Sequence, residues 1–220
     1  LGFEELANPT DELAATTTIA YTDFVNLTVR YDEIDNCTQI LTAGTHVLGK
    51  DIKESWNATG GKVCIEVKQS GVVLDCKGHK IEGIPLESVY SQYGIYGSVS
   101  SIDVRNCIVS NWTTGVEIYD TDVLRHYITN STAIANTNAG FKINLATATL
   151  QNDNASSDGA GTGFYLLESP SSILTNITSD LNYNGIIYEY SNNSMLNYSK
   201  ITNNVVGIYI SDSFNNNISN

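Results

Sequence analysis

Six short stretches decide the fold: GIYGS at 94–98, GVEIYD at 115–120, GFKINL at 140–145, GFYLLE at 163–168, GIIYEY at 185–190 and GIYISD at 207–212. Their glycines are spaced by 21, 25, 23, 22 and 22 residues. After each glycine the first residue, and mostly the third, is apolar: Ile95, Val116 and Ile118, Phe141 and Ile143, Phe164 and Leu166, Ile186 and Tyr188, Ile208 and Ile210. Alternation of period two is a strand signal, with these residues inward and the one between them outward. A period near 22 with such a strand in every repeat marks a solenoid, in which each repeat buries its apolar face only by stacking on the next.

The outward column reads Tyr96, Glu117, Lys142, Tyr165, Ile187 and Tyr209. Glu117 above Lys142 predicts an exposed ion pair of small worth. A second strand is expected in each repeat, at Ile102–Cys107, Val123–Ile128, Ala148–Leu150, Ile173–Ile177 and Met195–Tyr198. Asparagines gather before the glycine turn (Asn111, Asn136, Asn182, Asn184, Asn203, Asn204), where they suit left-handed backbone and can form a ladder from rung to rung.

Upstream, THVLGKDI (45–52), GGKVCIEV (60–67) and GVVLDCKGHKIEGI (71–84) read as earlier strands, and 84–93 as a longer loop. The stack is expected over 37–220, which one core suffices to explain. Residues 1–36 fall outside the repeat. Residues 1–16 form a lead-in or short helix, and 17–31 alternate (Ile19, Tyr21, Val25, Leu27, Val29, Tyr31) as one or two strands. That segment either caps its own first rung or reaches the open end of a neighbouring subunit.

Eleven lysines and arginines against 24 acidic residues give a net charge of −13. Basic residues do not cluster, which argues against nucleic acid and anionic membranes as partners. No apolar run approaches the roughly 20 residues of a membrane span. The absence of an initiator Met suggests a processed product or a fragment. The last repeat stops part-way, leaving an edge for further chain or another molecule to cover.

Two features place the chain outside the cell. Ten Asn-x-Ser/Thr sequons occur, at Asn26, Asn36, Asn57, Asn111, Asn130, Asn154, Asn176, Asn192, Asn197 and Asn217, implying N-linked glycans. The four cysteines are the second. Aligning VVLDCKGHKI with IDVRNCIVSN superimposes Leu74 on Arg105, Asp75 on Asn106 and Cys76 on Cys107. Successive rungs lie about 4.8 Å apart, within the Cα range of a disulfide. Of the three possible connectivities, Cys76–Cys107 is therefore expected, with Cys37–Cys64 pairing by elimination.

The run VVLDCKGHKIEG, then GIYGSVSSIDVRNCIVSNWTTGVEIYD, then ITNNVVGIYISDSFNNNISN resembles right-handed parallel β-helix repeat proteins. The nearest likeness is to the NosD-like and surface-layer-associated β-helix proteins of archaeal cell surfaces. The resemblance covers about 37–220 and implies an all-β right-handed parallel β-helix of about seven rungs, some 35 Å long by strand spacing. It implies no single activity, because the scaffold hosts pectate lyases, polygalacturonases, copper-site maturation factors, tailspikes and plain surface proteins.

Glycosidases of this fold carry NTD and DD acid pairs, a GHG and an RIK. This chain has only GHK at 78–80, where His79 reads as a structural turn residue. The best local candidates for acid–base chemistry are Asp120 and Asp122, with Arg125 and His126 nearby. His46, His79, His126 and Met195 fall on different rungs, so no soft-metal site and no resident cofactor is expected, with calcium at turn carboxylates left open. The expectation is an extracellular structural protein that assembles with copies of itself. The alternative is a carbohydrate-active enzyme or glycan-binding adhesin working through an outer groove.

Overall fold

The computed structural model describes residues 31–53, 63–83, 93–122, 124–157 and 161–219. The alternation at 17–30, the sequons at Asn26 and Asn57, and most of the loop expected at 84–93 lie outside the described residues.

Among the described residues every regular element is a strand and every pairing is parallel. One coil contains Arg125–Thr129 in sheet I, Thr132–Ile134 in sheet II and Ala139–Asn144 in sheet III. The three sheets hold nine, seven and eight strands, giving seven complete coils. Asp32–Ile34 and Thr38–Ile40 precede them and Asn217–Ser219 follows. The stack therefore takes in Asp32–Ile34, ahead of the boundary expected at Cys37. Sheet II is the strand that periodicity did not show. Its members have two residues (Ile52–Lys53) or three, as in Thr132–Ile134, Asn154–Ser156 and Thr178–Asp180, too few for alternation to be visible.

The core runs as columns along the stack. Ile65, Ile95, Val116, Phe141, Phe164 and Ile186 line sheet III, and Leu74, Val104, Ile128, Leu150, Leu174 and Leu196 line sheet I, none more than 3% exposed. The coils that hold Phe141 and Phe164 place Ala133 and Ala155 on sheet II, so a large residue on one wall is balanced by a small one on another. The two rings stack with centroids 5.1 Å apart.

The glycine column stacks as expected, for a reason of space. A Cβ on Gly115 would lie 2.6 Å from the Gly140 carbonyl oxygen, on Gly140 2.9 Å from that of Gly163, and on Gly163 2.7 Å from that of Gly185. Left-handed backbone falls instead on other residues at the corners. Asn106, Asn130, Asn152, Asn176 and Tyr198 form one such column between sheets I and II, and Leu145, Glu168, Tyr190 and Asp212 another after sheet III. Asparagine tolerates this region, whereas a left-handed Leu or Tyr costs about 1–2 kcal/mol. The ladder holds them there: Asn106 N–H donates to Thr129 O at 3.0 Å, Asn130 N–H to Gln151 O at 3.0 Å, and Leu145 N–H to Leu167 O at 3.0 Å.

Both expected disulfides are present, with Cα separations of 4.3 Å for Cys37–Cys64 and 4.8 Å for Cys76–Cys107. The register that suggested the second is displaced by one. Leu74 faces Val104 and Asp75 faces Arg105. Placing Leu74 over Arg105 would have turned a guanidinium into the core. Arg105 instead points outward, its Nε 3.3 Å from Asp75. The corner after Asp75 is two residues longer than its counterpart, since Lys80 pairs with Ile108, and this slack lets the sulfurs meet.

Candidate functional site

Two groups of side chains carry chemical potential: the corner around Asp120 and the outward column of sheet III. At the corner, the structure brings Asp120, Asp122 and His126 together and sends Arg125 elsewhere. His126 lies in the inward column of sheet I and is fully buried; Asp120 is 6% exposed. Ile102 N–H donates to His126 Nδ1 at 3.2 Å, so the ring hydrogen sits on Nε2 and donates to Asp120 Oδ2 at 3.1 Å. Burial holds the imidazole pKa below its usual value, against the opposing pull of Asp120. Asp120 also accepts from Asp122 N–H at 3.0 Å, and Ser100 donates its hydroxyl to Asp122. The Arg125 guanidinium donates to Ala148 O and Thr149 Oγ1, each at 3.2 Å, and to Ser171 O at 3.0 Å, tying three coils.

His126 is one member of a longer device. Ala148 N–H donates to Ser172 Oγ at 3.1 Å, Ser172 N–H to Ser194 Oγ at 3.3 Å, and Ser194 N–H to Asn216 Oδ1 at 2.8 Å. In every case a backbone donor of one coil meets a side-chain acceptor one coil on, and His126 Nδ1 fills the same role for Ile102. A parallel ladder runs through Ser169, Ser191 and Ser213. The signal was legible as SPSS at 169–172, SNNS at 191–194 and SFNN at 213–216, each 22 residues after the last. On the next corner Asn136 and Asn204 accept from Trp112 N–H and Asn182 N–H in the same way, which realises part of the expected asparagine ladder.

The outward column of sheet III pairs Gln39, Glu66, Tyr96, Glu117, Lys142, Tyr165, Ile187 and Tyr209 in register. Glu117 and Lys142 meet at 3.0 Å, but with side chains only 6% and 18% exposed. The pair expected at the surface is thus largely withdrawn from solvent, and Glu117 Oε2 has no hydrogen-bond partner among the described residues. Lys142 Nζ lies 5.9 Å from the Tyr165 ring centre, and the Tyr165 hydroxyl donates to Glu189. Burial, then Glu189, pushes the Tyr165 pKa up; burial, then Glu117, raises that of Tyr96. Both phenols remain protonated donors at any physiological pH. The column offers the half-exposed aromatic faces of Tyr96 and Tyr165, suited to holding a ligand by stacking, above a Glu117–Lys142 pair withdrawn from solvent.

His79 and His46 serve local structure. Asp51 lies 3.0 Å from His79 Nδ1 and accepts from Lys80 N–H at 2.9 Å. His46 Nε2 lies 2.9 Å from Thr42 O. No group of three or more His, Cys, Asp or Glu side chains able to hold a metal ion occurs among the described residues.

These features define a parallel β-solenoid whose polar interior groups are used to join coils. A family model described as the right-handed β-helix region matches residues 93–220, and the chain belongs to that family. A comparison with curated proteins gives no match. Among solved structures, the full-length tailspike protein 2 from Escherichia coli O157:H7 bacteriophage CAB120 is similar, with 13% identity and a TM-score of 0.49. The match covers 83% of this chain and 33% of the tailspike, so the chain spans about a third of that protein.

Proposed function

We propose that the protein is an extracellular structural β-helix, a glycosylated subunit that assembles with copies of itself into a surface layer, sheath or filament. The observation that carries this reading is the pair of disulfides, Cys37–Cys64 and Cys76–Cys107, each joining successive coils. Such bonds persist in oxidising surroundings and are rare where thiols are kept reduced. The Asp120–His126 pair supports it too, since both groups are buried and occupied in coil-to-coil hydrogen bonds. A head-to-tail contact that does not close would yield a fibre or lattice. Electron microscopy of native material, with non-reducing thiol titration, tests the proposal. Regular assemblies without free thiols are expected; dispersed monomers, or free cysteines, would refute it.

A second reading is favoured by the sheet III column: a glycan-binding or carbohydrate-active protein that stacks its ligand on Tyr96 and Tyr165. Binding to a panel of polysaccharides, lost on Tyr165→Ala with the fold intact, would move this reading ahead.

A further inference from the structure

The sequons at Asn130 and Asn176 share a geometry that the other described sequons lack. We infer that these two carboxamides are the sites at which the folded chain accepts N-linked oligosaccharide, an inference that rests on the extracellular reading above. Both asparagines are exposed at the corner between sheets I and II, each with φ of 51°. The hydroxyls that complete the sequons, Thr132 and Thr178, begin strands of sheet II and align through Asn154. Both threonines are half-exposed and make no side-chain hydrogen bond among the described residues. Asn152 sits between the two sites. It donates its Nδ2–H to Asn130 Oδ1 at 3.0 Å and accepts from Asn176 Nδ2 at 2.8 Å. This fixes both amide planes, leaves the Asn130 nitrogen unused and leaves one N–H free on Asn176.

At each of the other described sequons either the hydroxyl is committed to the protein or the asparagine is only half-exposed. Ser199, which completes the Asn197 sequon, donates to Asn197 O at 2.7 Å and accepts from Ile177 N–H at 3.3 Å. Ser194, which completes that of Asn192, is buried and bonded within the serine ladder. Asn111 donates one Nδ2–H to Glu82 at 3.1 Å, as Asn176 does to Asn152, but it is half-buried where Asn130 and Asn176 are exposed. Asn154 is half-buried, its Oδ1 without a partner, and at the Asn36 sequon the Thr38 hydroxyl donates to Gln39 O at 3.4 Å. At Asn217 the hydroxyl of Ser219 donates to Asn197 Oδ1 at 2.7 Å. Among the described sequons, an enzyme that must reach both the amide and the hydroxyl two residues on finds an exposed asparagine together with an uncommitted hydroxyl only at Asn130 and Asn176.

The step is a glycosyl transfer from a lipid-linked oligosaccharide pyrophosphate. The bond from the sugar anomeric carbon to the phosphate oxygen breaks, and a bond from that carbon to Nδ2 forms. The nitrogen loses one proton to a base of the transferase, and the lipid pyrophosphate departs. Two coils separate the sites, about 9–10 Å by strand spacing, which gives each glycan its own room. The corner joining sheets I and II belongs to neither edge of sheet III, so these glycans leave the Tyr96–Tyr165 column uncovered.

Glycopeptide mass spectrometry on the full chain, secreted from an N-glycosylating host, tests the inference. Asn130 and Asn176 should be occupied in most copies and Asn192 and Asn197 in few. Thr132→Ala should remove the mass of one glycan, from Asn130, and leave Asn176 modified. Bare Asn130 and Asn176, or equal occupancy at Asn192 and Asn197, would overturn it. The extracellular reading fails by a different result, free thiols at Cys76 and Cys107; a chain with both disulfides and no glycan would sink this inference and leave the extracellular location standing.

Discussion

The early and late coils of the same solenoid are held together by different chemistry. Up to Arg105 the repeat is long and irregular, and neighbouring coils are joined by the two disulfides and by charge pairs such as Lys53–Glu82 at 3.6 Å and Arg105–Asp75 at 3.3 Å. The net pKa of Asp75 is lowered: burial would raise it, but hydrogen bonds from Asn106 and Lys77 N–H, with Arg105 beside it, outweigh that cost. From about Ser131 onward the repeat settles near 22 residues, and uncharged Ser and Asn ladders replace the charges. Regular spacing is what permits a ladder, because a side chain can replace a backbone partner only if every coil offers the same slot. Where length varies, as in the corner after Asp75, slots do not align, and covalent or ionic links take over. The difference teaches that regularity and crosslinking are alternative ways of fixing one coil on the next.

The largest expected effect tests the dependence of the late coils on packing. Phe164→Ala removes a fully buried ring stacked on Phe141 and should cost about 3–5 kcal/mol, read as a fall in the denaturation midpoint. Hydrogen exchange should show the late coils opening first while the disulfide-linked coils stay protected; uniform loss of protection would break the comparison. Next, replacing Cys76 and Cys107 together by Ala should cost about 2–4 kcal/mol, by freeing the unfolded chain from a closed loop. The damage should be concentrated in the early coils. Equal fraying of the Ser169–Ser213 region would mean that the two halves unfold as one.

The smallest effect concerns a flaw in the late ladder. Asp153 takes a position that Ser131 and Ser199 fill in other coils. It accepts from Ser131 N–H at 2.8 Å, but its second oxygen is buried without a partner. Burial pushes its carboxyl well above the usual pKa, against the opposing backbone hydrogen bonds from Ser131 and Gln151. With the folded value raised, the native state holds the proton more tightly. Its contribution is full below the unfolded value near 3.8 and is lost as pH rises through the folded value. Asp153→Asn keeps the Oδ1 acceptor and removes the ionisation, so it should stabilise the protein by about 1–3 kcal/mol at alkaline pH and less at pH 4. Thermal melts of both proteins across pH check the sign. His126 works oppositely: its lowered pKa makes stability fall as pH drops below about 6.5.

Part of the candidate site could be read before the fold was known. The order Tyr96, Glu117, Lys142, Tyr165 followed from counting two residues past each glycine, because strand alternation and the glycine that opens each strand together fix which side chains lie above one another. That Glu117 and Lys142 are withdrawn from solvent did not follow, since burial depends on neighbours from other coils. The corner at Asp120 was located as a cluster, yet proximity in sequence misplaced Arg125: it lies beside His126 in the chain while its guanidinium reaches two coils onward. The sequence groups His126 with the candidate carboxylates because no sequence rule distinguishes a histidine that accepts a backbone hydrogen bond inside a ladder from one that faces a substrate.

By itself the sequence determined the stacked strands and the inward columns, since both follow from a local period and from residues recurring at one phase of it; it named the cysteine pairs through an alignment that the structure shifts by one residue. Only the tertiary structure decided the rest. The third sheet is built from strands too short to carry a period. The left-handed corners fall on Leu145 and Tyr190, whose strain is offset by ladder bonds formed once the next coil is in place. The register at Asp75–Arg105 is chosen because the core admits Val104 and excludes a guanidinium. Each of these depends on what the adjoining coil supplies, and that is the one thing a repeat cannot state about itself.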